Sequence, residues 1–208
     1  MAKRPTAVRD RLIDAALDLA GERPWRTVTL ADIAAAARTD LATLYKHFSS
    51  RMAIVGAIMD RTNAAMLSET DPSAAAGEPP HDRLLDALMC RLDALRPHKP
   101  AIRSILRDLP ADPLGLLCAS PAFFNAIAWT LESAGIGSAG LAGRVRVKGV
   151  AVIYLGALRV WLTDDSADQG KTMAFLDKRL KQAERLASFL PGGIVSRAAG
   201  GEPTEQAE

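Results

Sequence analysis

Between residues 29 and 51 the chain gathers hydrogen-bond donors: Thr29, Thr43, Tyr45, Lys46, His47 and Arg51. Hydroxyls, an ammonium, an imidazole and a guanidinium at this density suit a polyanion, because phosphate oxygens only accept. On that reading the phosphate contacts fall to Thr29, Tyr45, His47 and Arg51, with Thr43 a further donor on the same helix. Base contacts fall to Arg38, Thr39, Leu41, Ala42 and Lys46, since Arg or Lys on guanine is the commonest specific contact and small apolar groups touch thymine methyls. A lone His such as His47 is otherwise an ordinary surface residue.

The elements that must position these groups are legible in the same stretch. Ile33, Ala37, Leu41, Leu44 and Phe48 are spaced by four, four, three and four. That spacing predicts one buried stripe shared by two short helices around a turn. Thr29 and Asp32 approximate a capping box for the first helix. Asp40 caps the second through the N–H groups of Ala42 or Thr43. Ser49 is expected to cap a third helix beginning at Arg51. Trp25 and Val28 are expected to plug the space between this unit and the preceding helix.

Ile33-Ala-x-x-Ala37, then Thr43-Leu-Tyr-x-His-Phe48 and a basic residue at 51, resemble the helix-turn-helix of TetR-type repressors. The resemblance implies that the second short helix enters the major groove. It assigns phosphate binding to Tyr45, His47 and Arg51. The family usually carries Gly-Val at the turn, where this chain has Arg38-Thr39. Glycine adopts a left-handed backbone without a Cβ penalty, and Arg38 does not. Arg38 is alternatively a base or phosphate contact.

Composition bounds the rest. The chain has 208 residues, 49% hydrophobic and 24% charged, which is globular rather than disordered. Aromatics are sparse and alanine abundant, and no strand alternation with hairpin turns stands out. The expected fold is all-α: a helix-turn-helix head over residues 1–50, a helical-bundle body over 51–190 and a disordered tail over 191–208. Residues 1–65 hold ten Lys/Arg against seven Asp/Glu, and the remainder sixteen against seventeen. A modest positive charge thus sits at the nucleic-acid-like end. Lys3 and Arg4 form a basic arm, either a frayed terminus or a minor-groove contact. Cys90 and Cys118 sit in apolar helical contexts and read as buried free thiols. There is no secretory h-region, and the longest apolar run, Gly149 to Leu158, is half of what spans a bilayer. The expectation is a cytoplasmic protein without stable membrane insertion.

In the body, Leu84, Leu88 and Leu92, then Ile102 and Ile105, mark helices by their period. Asp112-Pro113 and Ser120-Pro121 each read as a cap followed by a helix start. Residues 139–163 are nearly apolar all round from 149, as befits a helix buried in something larger. The last segment, 167–190, carries Phe175, Leu176 and Leu180 inward. Met89, Phe123, Phe124, Trp129, Tyr154 and Trp161 are the large apolar set. They are either plain core or the wall of a ligand cavity, and Arg103, Arg107 and Arg159 are then either the groups that meet an anionic ligand or cations on solvated faces.

No Gly-rich phosphate loop, nucleophile elbow or carboxylate cluster is present, so an enzyme is not expected. Asp164-Asp165 reads as a turn and cap. His81 and His98 have no second ligand at metal spacing, so no metal or cofactor is expected.

The TetR resemblance further implies a homodimer through the last two long helices, and two heads reading half-sites of a double-stranded DNA operator about one turn (~34 Å) apart. A second resemblance lies in the body. Leu92-Asp-Ala-Leu-Arg-Pro-His-Lys99, Ile102-Arg-x-x-Leu106, and Leu155-Gly-Ala-Leu-Arg-Val-Trp-Leu162 before Asp-Asp-Ser166 resemble the lipid-binding accessory protein of ubiquinone biosynthesis. That family implies a TetR-like fold, a lipid-like ligand and a head that does not bind DNA in the usual way. The reading taken forward is a ligand-responsive TetR-type regulator, a repressor, with a small apolar or lipid-like effector. The alternative is an accessory protein of isoprenoid-quinone biosynthesis with a vestigial head.

Overall fold

A computed structural model describes residues 5–70, 77–109 and 113–188, with side chains for 8–70, 77–109 and 121–186. The basic arm at Lys3 and Arg4, the Cys118 side chain and the tail 191–208 lie outside them. The described residues are helical and contain no strand.

The head comprises α1 (Pro5–Glu22), a 3-10 turn (Trp25–Thr27), α2 (Leu30–Ala36) and α3 (Leu41–His47). Seven-residue helices do not persist alone in water. Tertiary burial and caps hold these two. Ile33, Ala37, Leu44 and Phe48 are buried against Leu12, Ile13 and Leu17 of α1, with Trp25 and Val28 filling the gap as expected. Each large apolar side chain contributes roughly 1.5–3 kcal/mol on such burial. Leu41 departs from the expected stripe. At the first position of α3 it is half exposed and faces away from the core.

The caps follow the sequence closely. Thr29 Oγ1 accepts from Asp32 N–H at 3.1 Å and Asp32 Oδ2 accepts from Thr29 N–H at 2.9 Å, a reciprocal capping box. Asp40 Oδ1 accepts from Thr43 N–H at 2.6 Å. These backbone hydrogen bonds hold both carboxyls below the usual carboxylate range. At the third helix, α4 (Arg51–Glu69), Ser50 rather than Ser49 accepts from Ala53 N–H at 3.1 Å. The N-cap is the residue immediately before the first helical one, and α4 starts at Arg51, so Ser50 holds that position.

The body comprises α4, α5 (Pro80–Leu95), a 3-10 turn (Arg96–His98), α6 (Lys99–Asp108), α7 (Pro113–Ser133), α8 (Gly140–Trp161) and α9 (Gly170–Ser188). α4 packs on α5 and α7, α8 pairs with α9, and α6 lies along α1 of the head. The expected helix start at Pro121 is not a start. α7 runs through Pro121, whose missing N–H costs one helical bond while Ala126, Ile127 and Leu131 beyond it are buried in the core. Gly135 closes α7 with φ +70°: its N–H reaches Glu132 O at 2.9 Å and Ile136 N–H reaches Leu131 O at 2.9 Å. α9 begins at Gly170, three residues later than expected, because Asp164 organises a turn first. Cys90 is half-buried rather than buried, and burial, then the Glu69 and Asp93 charges, push its thiol up. The helix α8 is not covered all round by its own chain: Leu141, Val145, Val152 and Leu155 form an exposed apolar stripe.

Candidate nucleic-acid interface

The turn between α2 and α3 sets the angle of α3. Arg38 has φ +54°, and the hydrogen bonds Arg38 N–H to Ala35 O (3.0 Å) and Thr39 N–H to Ala34 O (2.9 Å) complete a Schellman motif. Arg38 therefore occupies a left-handed position that favours glycine. The backbone accepts the strain because Ala37 and Leu44 are buried on either side of it. The Arg38 side chain is exposed and lines a depression of about 360 Å3 with Arg11, Asp14 and Asp18 of α1.

Beyond the turn, α3 turns Leu44 inward and its donors outward. Tyr45 is 76% exposed, Lys46 and Ala42 are exposed, and Thr43 and His47 are half-buried. Tyr45, with its ring in solvent, does not cover the core. Thr39 is half-buried in the turn. The Thr29 hydroxyl is committed to its cap, donating to Asp32 Oδ2 at 2.7 Å.

Arg51 does a different job from the one its type suggests. Its Nη1 donates to Trp25 O (2.9 Å), Val28 O (2.9 Å) and Arg26 O (3.3 Å), and its guanidinium lies 5.7 Å from the Trp25 ring centroid. It braces the start of α4 against the chain that enters α2. That same segment is held from the other side by α6. Trp25 N–H donates to Ser104 Oγ at 2.9 Å, Ser104 Oγ donates to Arg23 O at 3.2 Å, and Arg26 N–H donates to Asp108 Oδ2 at 2.7 Å. Sequence reasoning missed Ser104 and Asp108, because nothing in the local pattern of α6 signals a partner some 80 residues away.

Residues 12–58 match the family of bacterial regulatory proteins, tetR family. The head is similar to the heads of that family. The likeness extends through the fold. A TetR transcriptional regulator from Nitrosomonas europaea is similar at 25% identity, over 84% of this chain and 96% of that one, with a TM-score of 0.68. A TetR regulator from Rhodococcus sp. RHA1 (16% identity, 86% and 97% covered, TM-score 0.63) and one from Streptomyces coelicolor (17%, 87% and 85%, 0.55) share the fold. Residues 147–187, most of α8 and α9, match the COQ9 family, in line with the second resemblance. No curated protein matches the chain.

Behind the helix-turn-helix head, the large residues proposed as a cavity wall are not gathered around one space. Trp161 is buried beneath Lys99, whose Nζ lies 5.5 Å from its ring centroid. Tyr154 is buried, Phe123 half-buried, and Phe124 and Trp129 are exposed. Met89 belongs to an open depression of about 500 Å3 between α4 and α5, rimmed by Glu69, Asp86 and Asp93. Arg107 is exposed. Arg103 donates to Leu162 O, Lys99 Nζ to Asp164 O at 2.7 Å, and Arg96 to Ala167 O. Arg103 thus caps the C-terminal end of α8, where carbonyls carry the negative end of the helix dipole, while Lys99 and Arg96 hold the connection from α8 to α9. Asp164 itself is 2% exposed. Burial raises its pKa, but hydrogen bonds from Ser166 and Thr172 outweigh burial and hold the carboxyl far below the usual range. Among the described residues no helix is long and apolar enough to cross a membrane, and no group of three or more His, Cys, Asp or Glu is placed to hold a metal.

Proposed function

We propose that the protein is a dimeric, ligand-responsive DNA-binding regulator of the TetR type that acts as a repressor. Residues 1–50 form the DNA-binding head and 51–190 the sensing and dimerising body. The observation that carries this reading is the outward donor face of α3: Tyr45 and Lys46 in solvent on a helix rigidly capped by Asp40 and anchored by Leu44. In the complex α3 lies in the major groove. Tyr45, His47 and Thr43 take phosphates, while Lys46, Arg38, Thr39, Leu41 and Ala42 face base edges. Homodimerisation is supported by the exposed apolar stripe of α8, which a second copy would cover.

The coupling runs through α6. Ser104 and Asp108 hold the head's entry segment, Lys99 and Arg103 hold the α8–α9 corner, and Arg51 passes the segment's position to α4. A ligand that binds two arrangements of the body unequally would shift the spacing of the two heads by that differential affinity alone. Gel-shift titration tests the reading: Tyr45→Ala or Lys46→Ala weakens operator binding, and unchanged affinity in both contradicts it.

The match of residues 147–187 to COQ9 favours one further reading, a lipid-binding accessory protein with a vestigial head. Mass spectrometry of protein denatured directly after purification distinguishes it: isoprenoid or phospholipid at near-stoichiometric yield supports that reading, and its absence removes it.

A further inference from the structure

Arg91 is the one arginine of α5 to sit in the core. It is 2% exposed, on the face of α5 that carries Leu84, Leu88 and Leu92. Its Nη1 donates to Asn63 Oδ1 of α4, a neutral acceptor. Its Nε has no hydrogen-bond partner, and among the described residues no carboxylate pairs with it. A guanidinium does not give up its proton in a protein. A buried cation without an anion is costly, and natural chains rarely retain one without a use.

A second orphan lies beside it. The Tyr154 ring centroid of α8 is 5.4 Å from the Arg91 guanidinium carbon, and the Tyr154 hydroxyl, on a residue also 2% exposed, has no hydrogen-bond partner. Two polar groups are therefore unsatisfied at one place in an apolar core. Both are donors, and a carboxylate accepts from both at once.

A route to solvent adjoins them. Phe123 stacks on Tyr154 with centroids 6.4 Å apart, and Phe124 lies 5.7 Å from Phe123 with its ring exposed. The three rings form a column from the surface of α7 to the buried guanidinium.

We propose that Arg91 and the Tyr154 hydroxyl anchor the carboxylate of an organic-acid effector whose apolar body lies along Phe123 and Phe124. The inference rests on the reading of the body as a sensing module and names the chemical class that it senses. Asn63, Arg91, Phe123 and Tyr154 come from α4, α5, α7 and α8, so a carboxylate drawn onto Arg91 pulls on helices that reach both the head and the α8 face. Arg103 and Arg107, arginines the sequence suggests for this task, are at the surface.

The test uses the full chain and thermal unfolding with defined probes: octanoate and benzoate, the uncharged octanol and benzyl alcohol, and inorganic phosphate. The expected result is a melting-temperature rise of about 3 °C or more with a carboxylate near a hundredfold above its dissociation constant. The alcohols and phosphate give none. Arg91→Met folds with a melting temperature at or above the wild type's, because a buried unpaired charge is gone, and it loses the carboxylate shift. Tyr154→Phe melts as the wild type and binds the carboxylate about tenfold more weakly, the loss of one charge-assisted hydrogen bond. Absence of any carboxylate shift overturns the proposal. So does a shift that persists in Arg91→Met or an equal shift from the alcohols or phosphate. An Arg91→Met chain that melts well below the wild type also overturns it, because the guanidinium is then structural. Gel shift separates the two readings. A carboxylate that binds through Arg91 but leaves DNA binding unchanged keeps the site and removes the ligand response from the regulator reading. Specific DNA binding with no carboxylate shift keeps the regulator and removes the site.

Discussion

The backbone N–H of Arg26 donates to Asp108 Oδ2 at 2.7 Å, joining the segment that enters the helix-turn-helix to the last turn of α6. Asp108 is buried, and its Oδ1 also receives the Arg26 guanidinium at 3.5 Å. This bond, with Trp25 N–H on Ser104 Oγ, fastens the head to the body by side chains of one helix.

Cutting that fastening has a measurable cost. Asp108→Ala leaves the Arg26 N–H without its charged acceptor and should lower unfolding stability by about 2 kcal/mol, and Ser104→Ala by about 1 kcal/mol. Urea midpoints measure both. If the fastening carries the ligand signal, Asp108→Ala also reduces the effector's influence on DNA affinity while leaving α3 intact. A change below ~0.3 kcal/mol in both variants would show that the head is held by its apolar contacts alone.

The turn at Arg38 predicts a gain. Gly135 and Arg38 close α7 and α2 with the same pair of hydrogen bonds and similar positive φ values, +70° and +54°. Only the second position carries a Cβ. Arg38→Gly should therefore stabilise the chain by about 1 kcal/mol in denaturant titration. If Arg38 also reaches DNA, the same variant binds the operator more weakly although it is more stable. That opposition separates a contact residue from a merely strained one.

The resemblance to TetR-type repressors located this turn, but its geometry came from the structure. Local signals were legible: the apolar stripe advances by steps of three or four residues, and the Thr29–Asp32 box and the Asp40 cap each join residues three apart. Misses share a different cause. Ser49 and Ser50 are chemically equal, and helix register alone chose Ser50. Leu41 fits the stripe by spacing but starts α3 at an angle that swings it out. Pro121 reads as a helix start because the burial that sustains α7 is tertiary. Arg51, Arg91 and Arg103 show the limit for long side chains. All three are cations by type, yet one braces carbonyls across the head, one lies in the core and one caps α8. Sequence spacing does not say which neighbour such a chain will meet.

Asp164 sets an acid-side dependence. Its folded carboxyl is held far below the usual range by Ser166 and Thr172, so the sign is that of a depressed pKa. The contribution is fully present above the unfolded value of about 3.9 and drains away as pH falls below it. Stability measured between about pH 5 and pH 2 should fall less steeply in Asp164→Asn than in the wild type. Equal slopes would mean that other carboxylates govern acid unfolding.

Lysine 46 predicts an electrostatic signature. It is exposed on α3 and free of any carboxylate within salt-bridge distance among the described residues. Lys46→Ala should lower the slope of log affinity against log salt by about 0.9 if it neutralises a phosphate. If it reads a base instead, the slope holds and discrimination between the operator and a variant site falls by about 1–3 kcal/mol.

Selection from mixed genomic fragments at two salt concentrations tests the central claim most directly. A regulator whose α3 reads the major groove enriches one palindromic site, with half-sites about one DNA turn apart, and loses affinity steeply as salt rises. Uniformly weak binding to all fragments, or none at either salt, would contradict it and leave a helix-turn-helix head that does not read DNA.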